Sequence, residues 1–373
     1  MSKRFLFTIL TLVLIAVIGA LAIFLAKGYT FSTKEKRIVG TGILTITSEP
    51  DAASVFIDGH LTTATNTTIA SLAPKDYTVK IVKEGLIPWE RKITIKEGLV
   101  TDIKVRLFPA IPTIYPLTFS GITAPVLSPD NSKLAYIVPM PAKKAGIWIW
   151  TQSRSQPISF ARSAEPHQIA QSQFIDFSKA TLQWSADSKQ IIAKVGANNY
   201  LLDAEKLNTD PRDITPMLDI TVKDWEEDAR SQDESLILAI KDTNLRRIAS
   251  ASATVRWSPD GTKFMARKEK LTDKDKGKVI EDFKVYDIDE RKEYPLPAAR
   301  SHVWLPDSRH IILVEDQTIS IVDFDGTNKA VIYAGSFQDN FVFPWLDSSR
   351  LAIITSFPTP TASEPNLYGI NLK

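Results

Sequence analysis

Cysteine is absent from all 373 residues. That excludes disulfides, thiolate metal sites and a cysteine nucleophile. It leaves the compartment open, because a chain with a large core folds outside the cytoplasm without disulfides. Histidine occurs only four times, at His60, His167, His302 and His310. No two of these form an H-E-x-x-H pair or any close ligand pair. A G-x-S-x-G elbow, a phosphate-binding loop and a dinucleotide fingerprint are also missing. Charge of one sign is lacking too: 45 basic residues against 43 acidic ones leave a net +2. That excess is too small for a surface that neutralises many phosphates, so no nucleic-acid partner is expected.

What the chain does have begins with one long hydrophobic run, Phe5–Ala26 (FLFTILTLVLIAVIGALAIFLA), which carries no charge. As a helix it would rise roughly 33 Å, enough to cross a hydrocarbon core of about 30 Å. The alternative is a cleaved signal peptide, for which Ala20-Leu21-Ala22 offers a small-residue site. The run outlasts the usual apolar region of about 7–15 residues, which favours an uncleaved single-pass anchor. Orientation is contested by the flanks. Lys27, Lys34, Lys36 and Arg37 outnumber Lys3 and Arg4, which read literally places the C-terminal side in the cytoplasm. The short basic N-tail abutting the helix has the form of a signal-anchor and places it outside. The expectation is a cell-membrane protein with an extracytoplasmic C-terminal part.

Beyond a polar linker at residues 28–40, hydrophobic periodicity changes to two. Ile43, Thr45 and Thr47 alternate with Leu44, Ile46 and Ser48, and Tyr77, Val79 and Ile81 repeat the pattern. Runs of about five residues bounded by Gly, Pro, Asp or Asn predict a small antiparallel β domain over residues 41–108. Within it, SEPDAASVFIDG (Ser48–Gly59) and LAPKDYTVKIVKEGLIPWERKITIKEG (Leu72–Gly98) resemble a PEGA domain. Pro50, Ala53, Asp58, Gly59, Tyr77 and Gly85 match that family's pattern. Ala52 replaces a turn Gly, Lys75-Asp76 stand for Pro-Gly, and Leu86 replaces an aromatic. The resemblance implies a surface-associated, β-sandwich-like module for display or adhesion, without catalytic residues.

Residues 109–373 contain a repeat. LSPDNSKLAYI (Leu127–Ile137), WSADSKQIIAK (Trp184–Lys194), WSPDGTKFMAR (Trp257–Arg267) and WLPDSRHIILV (Trp304–Val314) align without gaps, and WLDSSRLAII (Trp345–Ile354) is one residue shorter. Spacings of roughly 41–47 residues are those of four-stranded propeller blades. The interval from Trp184 to Trp257 is too long for one blade. Trp225, followed by SLILAI (Ser235–Ile240) and LRRI (Leu245–Ile248), supplies a degenerate further start. In each unit a Trp ends a strand, a Pro-Asp turn follows, and an alternating strand returns. The order resembles TolB-type and WD-repeat-like β-propellers. The expected fold is therefore an all-β ectodomain, a PEGA module plus a propeller of about six blades, behind one transmembrane helix (residues 1–27). The chain ends after an incomplete last blade, so residues 113–126 are expected to close the ring.

Several constellations invite a chemical reading. Asp130, Asp187, Asp260 and Asp307 recur at one position of the repeat, where turn capping explains them better than a carboxylate ring. The repeated Trp residues fit inter-blade packing better than carbohydrate stacking. DFDGTN (Asp323–Asn328) opens like a calcium loop but lacks the distal Glu, and an Asp-Gly hairpin turn explains it. His302 and His310 bracket one turn. Lys268–Asp282 is a charge-dense hairpin insertion, with partner docking at its tip as the alternative. Asn66 begins a glycosylation triplet. No catalytic, cofactor-binding or metal-binding residue is assigned, and no cofactor is expected. The expected function is a cell-envelope binding or scaffold protein, not an enzyme, for an unidentified envelope protein or glycan. The alternatives are an envelope hydrolase or lyase using the propeller's central face, and a cytoplasm-facing sensor.

Overall fold

The computed structural model describes residues 3–26, 29–32, 37–152, 166–252, 254–273, 278–338, 341–357 and 364–373. The chain divides into two compact units, Met1–Ile111 and Pro112–Lys373.

The first unit opens with helix α1, Lys3–Ala26. Among the described residues no helix is long and apolar enough to cross a membrane. The expected anchor, Phe5–Ala26, lies partly outside the side chains described. So do the flanking charges Lys3, Arg4, Lys27, Lys34, Lys36 and Arg37. The polar stretch expected as a linker contains a two-stranded hairpin, β1 (Tyr29–Ser32) with β2 (Arg37–Gly40). Seven further strands follow: β3 (Gly42–Glu49), β4 (Ser54–Ile57), β5 (His60–Ala64), β6 (Thr67–Leu72), β7 (Asp76–Val82), β8 (Trp89–Thr94) and β9 (Val100–Arg106). They form two sheets, ordered β6-β3-β9 and β5-β4-β7-β8. The expectation of a purely antiparallel domain is corrected at one pair, because β9 lies parallel to β3.

The period-two pattern decides the packing of this unit. Leu44 and Ile46 of β3 are fully buried, as are Val79 and Ile81 of β7. They share one core with Val55, Trp89 and Val105. The turn between β4 and β5 holds Asp58 at φ 49° and Gly59 at φ 82°, the two left-handed residues that a tight hairpin demands. Ala52, where the resembled family has glycine, also sits at φ 53°, a conformation that costs a residue with a Cβ on the order of 1–2 kcal/mol.

Among the described residues the second unit carries five four-stranded sheets. Blade I is Thr123–Leu127, Lys133–Val138, Gly146–Thr151 and His167–Gln171. Blade II is Thr181–Trp184, Gln190–Val195, Asn198–Asp203 and Arg212–Asp213. Blade III is Val255–Trp257, Lys263–Asp273, Lys278–Asp287 and Lys292–Pro295. Blade IV is Ser301–Trp304, His310–Val314, Thr318–Asp323 and Ala330–Ala334. Blade V is Val342–Pro344, Arg350–Thr355 and Asn366–Asn371, completed by Ile114–Pro116 from the start of the unit. Residues expected to close the ring thus divide between two blades: Ile114–Pro116 is the outermost strand of the last, and Thr123–Leu127 the first strand of blade I. The charged insertion Lys268–Asp282 extends the central hairpin of blade III, with the ladder running out to Asp273 opposite Lys278.

Among the described residues the expected sixth blade is not formed. Trp225 lies in helix α2 (Leu218–Ala239), and Leu245–Ile248 lies in helix α3 (Thr243–Ala251). The unit is therefore propeller-like with a helical insertion, and all-β holds only for its blades. The residues explain the difference. Leu218–Ala239 contains seven Asp or Glu, two Lys or Arg and no Gly or Pro, a composition that suits an exposed helix better than a strand. Lys223 and Glu227 pair across one turn at 3.8 Å, and Asp242 caps α3 by accepting from the backbone N–H of Asn244 and Leu245.

Neighbouring blades bury their faces against one another, and in blades I and III alternate residues serve opposite faces. In blade I, Ala135, Ile137, Ile147 and Ile149 pack against Leu182, Trp184 and Ile191 of blade II. The intervening Leu134, Tyr136 and Val138 pack against Phe343, Ala352 and Ile354 of blade V. Met265, Phe283 and Val285 of blade III face Trp304, Ile311 and Leu313 of blade IV. Phe264, Ala266 and Tyr286, on the other face of blade III, meet Ile240, Leu245 and Ala249. The helical insertion thus covers the face of blade III that blade IV leaves open.

Candidate functional site

The five repeated turns hold the same backbone device. The residue after each turn Asp is left-handed: Asn131 at φ 55°, Ser188 at 60°, Gly261 at 70°, Ser308 at 60° and Ser348 at 55°. Only one of these is glycine, and two of the serines show a compensation. The Ser188 hydroxyl accepts from the backbone N–H of Asp130 in blade I, and the Ser308 hydroxyl accepts from that of Asp260 in blade III. A hydroxyl there links neighbouring blades, which glycine could not do.

The turn carboxylates serve their own turns. Asp130 accepts from the Ser128 and Ser132 hydroxyls and from the Ser132 N–H at 2.6–3.0 Å. Burial works to raise its pKa, but these hydrogen bonds hold it below the usual range. Asp260 is held the same way by Ser258 and Thr262 against the pull of burial. At Asp187 the Ser185 hydroxyl is the main cause of a lowered pKa. Asp307 accepts from the backbone N–H of Arg309 and His310.

Trp184 and Trp304 are buried, and each indole N–H donates to a carbonyl of the preceding blade, Val126 at 3.0 Å and Arg256 at 2.9 Å. Trp345 packs edge-on against Trp150 of blade I with ring centres 5.6 Å apart. Trp257 is the exception. Its buried indole N–H has no hydrogen-bond partner in the structure, and the segment preceding it is helix rather than a blade.

Blade IV contains a buried charge cluster that sequence reasoning missed. His310 donates or accepts through Nδ1 with Asp307 at 2.7 Å and lies 3.3 Å from Asp323 through Nε2. Burial alone would push the imidazole pKa down, but hydrogen bonds and charge from the two carboxylates carry it up to about 9. Asp323 also accepts from the Asn328 amide at 2.9 Å, so DFDGTN forms a turn, with Gly326 at φ 80°. The other histidines are dispersed. His302 bonds the Pro297 carbonyl at 2.8 Å, His167 the Ala204 carbonyl at 3.1 Å, and His60 is exposed on β5. Among the described residues no group of three or more His, Cys, Asp or Glu could hold a metal ion. Asn66 is exposed, and its side-chain oxygen accepts from the Ser48 N–H.

A cavity of about 930 Å³ gathers the inner parts of blades I, III, IV and V around one space. Leu127, Pro129, Trp257, Pro344 and Leu346 give it apolar walls, and Leu236 of α2 reaches the same space. Asp130, Asp260 and Asp307 also line it. Arg256 donates to the His302 carbonyl and lies 4.7 Å from the centre of the Phe283 ring, so its charge is held within the wall. The cavity thus presents apolar surface beside polar groups that are bonded within their own turns.

Solved structures similar to this chain include a putative TolB from Agrobacterium tumefaciens, at 17% identity over 65% of this chain and 76% of that one, with a TM-score of 0.24. TolB from Acinetobacter baumannii follows at 12% identity, 80% and 62% coverage and a TM-score of 0.25. An oligogalacturonate lyase in complex with manganese has 12% identity, 79% and 74% coverage and a TM-score of 0.24. A search of curated proteins found no match. Residues 41–111 match the PEGA domain.

Proposed function

We propose that this chain is a membrane-anchored, non-enzymatic binding or scaffold protein of the cell envelope. In this reading Phe5–Ala26 is the anchor, the PEGA domain is a surface-contact module, and the propeller-like unit binds a partner protein at its central cavity. The observation that carries the binding role is the state of the cavity's polar groups. Asp130, Asp260 and Asp307 are committed to their own turns, while Leu127, Leu346 and Trp257 offer apolar surface beside them. A surface of that kind recognises rather than transforms.

An envelope hydrolase or lyase is the second reading, favoured only by the fact that three carboxylates line one cavity. It would require at least one of them to leave its turn and act as acid or base. The test is a photoactivatable side chain placed at Leu346 in the full-length protein in its native membranes. A discrete protein adduct, lost when Leu127 is replaced by Asp, is the expected result. The absence of any adduct contradicts the binding role.

A further inference from the structure

A second recess lies away from the central cavity, along blades I and II. Two hollows of about 540 Å³ and 370 Å³ share Gln171 and Gln173 as a common wall. The first is flanked by Phe174, Tyr200, Thr209 and Asp210, the second by Trp148 and Lys143. Both volumes fall within the range of about 300–1,000 Å³ usual for ligand sites.

Phe174 is 97% exposed, yet the loop that carries it is fixed. The Ser172 N–H donates to the Ala145 carbonyl at 3.1 Å, and the Ser172 hydroxyl accepts from the Phe177 N–H at 3.1 Å. Asp176 caps the short helix that follows by accepting from the Ser178 N–H at 2.9 Å. Ile175, next to Phe174, packs against the core between the two blades. The opposite wall is equally fixed. The Asn208 amide donates to the carbonyls of Ile169, Asp203 and Lys206, and its oxygen accepts from the Asp203 N–H. The Tyr200 ring rests edge-on against buried Phe177, with centres 6.2 Å apart. An aromatic ring exposed on a hydrogen-bonded frame offers a ligand a face at little ordering cost.

The polar groups are as available as the frame is occupied. Among the described residues, the side chains of Gln171, Gln173, Thr209 and Asp210 have no hydrogen-bond or ion-pair partner. Amides and a hydroxyl that both donate and accept, beside the exposed Phe174 ring, suit the hydroxyls and the apolar C–H face of a sugar ring. Asp210 lines one hollow and Lys143 and Lys144 the other, with the Lys144 ammonium 5.9 Å from the Trp148 ring centre; a single excess surface cation is too little to hold a polyanion, which favours a neutral chain. We propose that this recess binds a neutral oligosaccharide, stacked on Phe174 and hydrogen-bonded by Gln171 and Gln173. The inference goes beyond the partner-binding role of the central cavity and does not depend on it.

The test uses full-length protein in detergent with three probes: cellohexaose, laminarihexaose and the hexamer of N-acetylglucosamine. Saturable binding of at least one, read by the fluorescence of Trp148 and its neighbours, is expected. Phe174→Ala is expected to weaken it about tenfold, and Gln171→Ala with Gln173→Ala by a similar factor. Leu61→Ala, in the other unit, is expected to leave it unchanged. Thermal unfolding of Phe174→Ala at the parent temperature separates lost contact from lost fold, since the ring is almost wholly exposed. In cells, a photoactivatable side chain at Gln173 is expected to give an adduct that glycoside hydrolases shorten and proteases do not. No binding of any probe, binding indifferent to Phe174→Ala, or an adduct that is a polypeptide overturns the proposal.

Discussion

His310 is the residue on which blade IV's internal charge balance turns. Its pKa stands at about 9 in the folded chain, against about 6.5 for a free imidazole. A group whose folded pKa is raised stabilises fully below its unfolded pKa and loses that contribution as pH rises through the folded one. Stability is therefore expected to fall between about pH 6.5 and pH 9 by roughly 3 kcal/mol, an order-of-magnitude figure. Urea midpoints measured across that window check it, and His310→Gln should flatten the slope. That variant should also cost several kcal/mol at neutral pH, because it removes the imidazolium from between two buried carboxylates, Asp307 and Asp323. The two tryptophans of neighbouring blades give a paired prediction. Trp304→Phe removes the indole's hydrogen bond to the Arg256 carbonyl, at about 0.5–1.5 kcal/mol. Trp257→Phe removes an indole N–H that had no partner and should cost less. Denaturant titration of both decides it, and equal losses would contradict the assignment of the bond.

The residues that the sequence reveals are those whose role is local. Asp130 and Asp260 bond within two residues of themselves, so their turn role is legible from spacing alone. The Asp323 partner of His310 lies on a different strand, thirteen positions away, and no local pattern announces it. The recess at Phe174 is assembled from two loops, Gln171–Ile175 and Leu207–Pro211, which no repeat alignment brings together.

At the scale of elements, the helical insertion marks where periodicity misleads. Ser235–Ile240 and Leu245–Ile248 are short apolar runs, and runs of that length do not separate a strand from a buried helical turn. The spacing of Trp225 from Trp184 coincides with a blade repeat although Trp225 sits half-buried on α2. A core position of the repeat and a helix surface predict different costs. Trp225→Ala should destabilise by no more than about 1 kcal/mol, whereas truncating Trp304 should cost about 3–5 kcal/mol. The closing strand gives a second test. A Cβ on Gly369 would lie 2.6 Å from the Tyr115 ring, and the Tyr115 hydroxyl accepts from Arg350 at 3.0 Å. Gly369→Val must displace Tyr115 and with it the three-residue pairing of Ile114–Pro116. Faster proteolysis of the segment before Thr123, at unchanged far-ultraviolet signal from the remaining blades, is the expected outcome.

At the scale of the whole molecule, the repeat was legible because each blade must solve one packing problem with one local device. The left-handed residue after each turn Asp recurs five times, and alternate residues of blades I and III serve opposite faces. Blade number was less legible, because it depends on what fills the interval between Asp213 and Val255. Display outside the membrane is the central claim of the proposed function, and it rests on the apolar run Phe5–Ala26 and on the family resemblance rather than on the flanking charges. Protease shaving tests it most directly. Intact cells carrying the full-length chain are treated with a protease that cannot enter, and the C-terminal Lys373 end is followed with a tag. Loss of the tagged fragment from intact cells, with an internal cytoplasmic protein untouched, is the predicted result. A tag protected in intact cells and cleaved only after lysis would place the propeller-like unit in the cytoplasm and contradict it.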